Sequence, residues 1–224
     1  MTITVVGTVA LDTITTPFGK VREYLGGSAM FFSVAASFFT SVNLVAVVGG
    51  DFPKQHMEFL KSRKINLDGL ETKTDGKTFR WIGSYGHDLN NAQTIETQLN
   101  VIENYQPKIP DSCKNPEILF LGNIDPDQQQ RVIDQAGKPG FIALDTMNLW
   151  IKTKKTSLIE AIKRVDLVTI NETEARLLTG TPNLVRAAKD IQNMGPSTVV
   201  LKRGEYGAVL FSQDQIFCAP ALPL

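Results

Sequence analysis

The sequence predicts an α/β fold: a parallel sheet with helices on both faces, and beside it a small antiparallel sheet placed to act as a lid. Three observations predict it. Short β-branched runs alternate with helical patterns along most of the chain, the first run is broken by a glycine as buried parallel strands often are, and two stretches, about 11–25 and 73–101, depart from that rhythm. Strand and helix in strict turn give βαβ units, whose crossovers make the strands parallel.

The elements follow in order. Residues 3–9, interrupted by Gly7, open the sheet. After Gly26-Gly27, the run SAMFFSVAASFF at 28–39 is apolar nearly all round, which predicts a helix packed deep against the sheet. A strand at 43–48 and a helix near 54–63 come next. Residues 78–85 and 92–99 read as lid strands flanking His87-Asp88-Leu89-Asn90-Asn91. Beyond them, strands are expected at 118–121, 141–145 and 167–170, and helices at 126–136, 157–165, 172–178 and 184–194. The last pair of strands, 198–201 and 208–211, encloses a glycine-bearing turn. There is no internal repeat or flexible linker.

Composition narrows the function. A chain of 224 residues is long enough for a sizeable core. With Lys+Arg 23 against Asp+Glu 23, no global field draws in nucleic acid or an anionic membrane, so a small-molecule ligand is expected. Cys113 and Cys218 lie far apart and outside any CxxC, which fits a reduced, cytoplasmic compartment. No basic region precedes the first apolar run, and no run reaches the ~18 apolar residues of a membrane span.

Several constellations could carry chemistry. Asp12 lies just past the first strand, where ligands gather in open α/β sheets; its carboxylate could accept two hydroxyls of a polyol, or cap its own turn. Gly26-Gly27 permits close backbone approach, and the helix start after it offers unsatisfied N–H groups to an oxygen-rich ligand. Asn171 falls near a helix N-cap and Glu174 one turn on, so both can face one point and hold a hydrated Mg²⁺; a capped helix with an acidic first turn accounts for the same letters. Lys202-Arg203-Gly204-Glu205-Tyr206-Gly207 reads as a hairpin turn or as a backbone loop against a nucleotide, with a cation near its phosphates. Gly76-Lys77-Thr78 imitates the end of a phosphate-binding loop, but Glu71 holds the place of the leading glycine and a strand follows. Neither His56 nor His87 has a ligand-spaced partner, and no GxGxxG follows the first strand, which removes a nicotinamide-dependent Rossmann enzyme.

In this order the motifs VVGTVALD, YLGGSAMFFSVAAS, VAVVGGD, ALDTMNLW, VTINETEARLLTG and VVLKRGEYGAVLF resemble the ribokinase-like (PfkB) carbohydrate kinase family, over essentially the whole chain. The resemblance implies one ribokinase-like domain over 1–224, with a Rossmann-like parallel sheet and the lid supplied by about 11–25 and 73–101. It implies transfer of a phosphoryl group from ATP, with Mg²⁺, to a hydroxyl of a sugar, nucleoside or similar alcohol. By position, Asp12, Gly26, Gly27 and Asn123 would serve the substrate; Asn171, Glu174, Lys202, Gly204 and Gly207 the nucleotide; and Asp145 with Asn148 the crevice between, Glu174 meeting the metal through water. The lid edge would either pair with a second copy or remain free.

The sequence departs from the family at three places. Phe31 stands where an asparagine usually contacts substrate, Lys202 stands where threonine is common, and the signature GAGD, with its anion-binding helix start and base aspartate, is not found up to Leu224. Because phosphoryl transfer is mostly positioning and charge stabilisation, the expectation is a chain lacking its C-terminal part and itself inactive, its base beyond Leu224. A sheet without its last helices would also expose the 28–39 helix face. The alternative is a non-catalytic ligand-binding protein on the same scaffold.

Overall fold

The computed structural model describes residues 1–90, 92–213 and 215–222. Asn91 of the expected lid turn and Pro223-Leu224 at the end of the expected strand and linker therefore lie outside the described residues. The chain forms two compact units, one of Met1–Gly122 with Val132–Gly140, the other of Asn123–Arg131 with Phe141–Leu224.

The first unit begins with β1 (Thr2–Val6), β2 (Ala10–Thr16) and β3 (Gly19–Gly26), then α1 (Ser28–Ala36), β4 (Ser41–Gly49), α2 (Lys54–Ser62) and β5 (Asn66–Lys73). It closes with β6 (Phe79–Tyr85), β7 (Ala92–Gln98) and β8 (Ile118–Leu121). A parallel sheet runs in the order β8-β1-β4-β5. Its two inner strands are buried from Ile3 to Val6 and from Val42 to Val48 and are apolar there but for Thr4 and Asn43, as strands covered on both faces require. Burying each Val or Leu there contributes roughly 1.5–3 kcal/mol. A polar ladder fixes the register: Asn66 Nδ2 donates to Asn43 Oδ1 at 3.2 Å, Asn43 Nδ2 to Thr4 Oγ1 at 3.2 Å, and Thr4 Oγ1 to the Cys113 carbonyl at 2.8 Å. A slip of one residue would bury these groups without partners.

The small sheet has the order β3-β2-β6-β7, antiparallel at both outer pairs and parallel between β2 and β6. Asp51, just past β4, anchors it. One carboxylate oxygen accepts from Thr78 N at 2.7 Å and Thr78 Oγ1 at 2.8 Å, and the other pairs with Arg80 at 2.7 Å. Arg80 also meets Glu23 of β3 at 3.0 Å.

α1 departs from the expectation of deep packing. A helix beside a sheet buries one stripe, here Ala29, Met30 and Ser33, with the Phe32 ring stacked on Phe120 at 3.6 Å. Phe31 and Phe38 point away from the sheet and are 58% and 69% exposed, and Phe39 is 87% exposed.

α3 (Pro126–Gln135) runs across the boundary between the units. The second unit then carries β9 (Phe141–Asp145), α4 (Asn148–Thr153), α5 (Lys155–Ile162), β10 (Leu167–Asn171), α6 (Glu172–Thr179), α7 (Leu184–Gln192), β11 (Thr198–Lys202), β12 (Ala208–Ser212) and β13 (Gln215–Ala219). β9, β10 and β11 are parallel; β12 and β13 continue the sheet antiparallel. Ala187, Ala188 and Ile191 of α7 are fully buried, the single apolar stripe of an amphipathic helix.

Candidate functional site

In the first unit the structure brings Asp12, Gly26 and Gly27 together. Asp12 sits in β2 opposite Tyr24 of β3 and Trp81 of β6, so the carboxylate and the two aromatic side chains share one face of the small sheet. A Cβ on Gly26 would collide with the Asp12 carboxylate, so a side chain there would push that carboxylate out of its place. Gly27 caps α1 at φ 100°, a backbone that L side chains rarely adopt, and a Cβ there would strike the Thr8 carbonyl. Thr8 is buried and was not apparent from the sequence, where it read as one more β-branched strand residue. Its Oγ1 accepts from Ser28 N at 2.9 Å and its carbonyl from Ala29 N at 3.0 Å. Two of the N–H groups expected to await a ligand are therefore already satisfied.

Asp12 itself is half-buried, and among the described residues no donor reaches its carboxylate. Burial alone pushes its pKa up from 3.8 to about 6. Next to it, Tyr24, Met30, Phe31, Phe38, His56 and Phe59 help line a cavity of about 480 Å³. Phe31 thus contributes an apolar wall at the position where the resemblance leads one to expect an amide.

In the second unit Asn171 and Glu174 form a reciprocal capping box: Asn171 Oδ1 accepts from Glu174 N at 2.8 Å, and Glu174 Oε2 from Asn171 N at 2.9 Å. Glu174 Oε1 and the Asn171 amide nitrogen take no part in the box. Lys202, ending β11, reaches Asp145 at the end of β9, Nζ to Oδ1 2.6 Å, while Arg203 pairs with Glu172 of α6. Of the two cations expected near phosphates, each is therefore held by a carboxylate here. Burial pushes both the Asp145 and the Glu174 carboxyl up, and Lys202 pulls both back. Gly204 opens a short 3-10 turn ending at Tyr206; Gly207 packs against the backbone of 219–221, which leaves no room for a Cβ. Asn123 accepts from Trp150 Nε1 at 2.8 Å and donates to Met147 Sδ at 3.0 Å, and Asn148 is exposed at the start of α4. Among the described residues no three His, Cys, Asp or Glu side chains converge on a ready-made metal site, and no helix is long and apolar enough to cross a membrane.

A large, mostly parallel sheet with helices, a small sheet carrying the Asp12 carboxylate, and a capped strand-to-helix turn define an α/β protein of the ribokinase type. The model of the pfkB family carbohydrate kinases matches residues 2–224, and the chain belongs to that family. It is 28% identical to a cytidine kinase of Thermococcus kodakarensis, over 98% of this chain and 79% of that protein. Among solved structures, the nucleoside kinase of Methanocaldococcus jannaschii superposes with a TM-score of 0.76 at 22% identity, covering 98% of this chain and 76% of that one. The ribokinase of Thermotoga maritima gives 0.75 at 17%, covering 100% and 79%. At these identities the two structures support the fold.

Proposed function

We propose that this kinase scaffold binds a nucleoside or sugar-like alcohol at Asp12 and a nucleotide with Mg²⁺ at the turns after β10 and β11, for phosphoryl transfer from ATP to a substrate hydroxyl. The observation that carries the reading is Asp12: a half-buried carboxylate without a protein donor is unfavourable unless a ligand supplies the hydrogen bonds. Two adjacent hydroxyls would do so, with Gly26 leaving the space for them and the aromatic and apolar wall beside Asp12 receiving the rest of the molecule. The similarity to a cytidine kinase and to a nucleoside kinase favours a nucleoside among the candidates.

Mg²⁺ fits the second unit by donor chemistry. Asp145 and Glu174 offer carboxylate oxygens, and the Thr146 hydroxyl, 3% exposed, has no hydrogen-bond partner among the described residues. One or two carboxylates plus substrate phosphates are what this ion takes, and bound there it would neutralise charge on the phosphates. Asn171 and the 202–207 turn would orient the nucleotide around it.

Thermal unfolding with cytidine, inosine, ribose, fructose and myo-inositol tests the substrate side. A ligand at 100-fold its Kd should raise Tm by about 5–10 °C. Asp12→Ala should abolish that shift. A shift that survives the substitution removes Asp12 from the site, and ATP consumption with the stabilising ligand separates turnover from binding alone.

A further inference from the structure

The second unit holds an ionic cluster of two buried carboxylates and one part-exposed ammonium, and the family reading does not say what the ammonium does there. Asp145 and Glu174 are 9% and 8% exposed; Lys202 favours the charge on both, and Asp145 opposes the charge on Glu174. Lys202 Nζ contacts Asp145 Oδ1 at 2.6 Å, and the Thr146 N–H also donates to the Asp145 carboxylate. The Thr146 hydroxyl, on the residue that follows, is buried without a partner among the described residues. Two buried carboxylates with one ammonium leave the cluster a cation short when both are ionised.

We propose that Lys202 is the resident counter-ion of the Asp145–Glu174 pair and gates its divalent cation: the ammonium occupies the cation position and must leave Asp145 before Mg²⁺ or Mn²⁺ can enter. The proposal rests on the reading of this unit as the metal and nucleotide side. An ammonium is a compact point charge on a flexible four-carbon stem, so it can vacate the carboxylate without any backbone movement. A divalent ion at Asp145 would lie within a few ångströms of that ammonium, and like charges that close repel. Once displaced, the ammonium becomes available to a polyphosphate, so phosphate binding and metal entry assist each other. Metal alone should therefore bind poorly to the intact chain.

The test uses the full chain with no nucleotide in any arm, so its failure leaves the Asp12 experiment untouched. Unfolding is followed in MgCl₂ or MnCl₂ against NaCl of equal ionic strength, and Mn²⁺ binding is read directly by electron paramagnetic resonance. Lys202→Met should be less stable than the parent without metal, regain stability with millimolar Mn²⁺, and bind Mn²⁺ at least about tenfold more tightly than the parent. Lys202→Arg, which keeps the charge, should stay at the parental affinity, and the double variant Asp145→Asn/Lys202→Met should lose the gain. Equal Mn²⁺ affinity in the parent and Lys202→Met, or a gain that persists without Asp145, overturns the gate. Should Lys202→Met not fold, Lys202→Gln is scored the same way. If neither folds, the parent decides: Mn²⁺ binding at micromolar concentration without nucleotide overturns the proposal, and its absence supports it.

Discussion

Asp12 couples binding and stability with opposite signs. Its carboxyl is raised to about 6 by burial, so its neutral form is favoured in the folded chain; the stabilisation is full below the ordinary value of 3.8 and is lost as pH rises through 6. Asp12→Asn should therefore match the parent near pH 4 and exceed it by up to about 3 kcal/mol at pH 7, measured by urea unfolding at both. A hydroxyl ligand needs the ionised form, so its affinity for the parent should fall about tenfold per unit below pH 6, read by calorimetry. Flat affinity from pH 7 to 5 would contradict the assignment. The position of Asp12 soon after β1 was legible because it is set by local sequence. The contact between Lys202 and Asp145 was not, because it joins residues far apart in the chain through the register of three strands. Asp51, Thr78 and Arg80 were missed for the same reason.

At the scale of elements, the alternation of apolar strands and amphipathic helices was legible where each element carries its own pattern. β5, reading NLDGLETK, was missed: it mixes Gly, Asp and Glu into an edge strand paired with one neighbour, so burial imposes little on it. α4 was missed for its brevity, six residues beside α5. The α6 capping box supplies a prediction here. Asn171→Ala should cost about 1 kcal/mol in urea unfolding, and Asn171→Asp, which keeps an accepting oxygen, should recover most of it. If Ala and Asp cost the same, the cap is not what Asn171 contributes to folding. Gly27→Ala should cost more than either, since both its φ and the Thr8 carbonyl oppose a side chain.

For the molecule as a whole, the outstanding surface is the aromatic one on the first unit. Phe31, Phe38, Phe39 and Phe59 are all exposed, and the Arg63 guanidinium lies over the Phe38 ring at 3.7 Å. Such a patch favours dye binding and association. Phe38→Ser with Phe39→Ser should lower anilinonaphthalene sulfonate fluorescence and raise solubility while leaving the Asp12-dependent thermal shift in place; unchanged fluorescence would mean the patch is not the dye site. The capping box bears on a different question, that of descent. Asn171 and Glu174 hold each other's backbone in place whether or not a nucleotide ever binds. Selection for a folded α6 alone would retain both letters in a lineage that had abandoned phosphoryl transfer. The cap alone therefore accounts for both letters, and an unpaired Asp12 is the better sign of a working site.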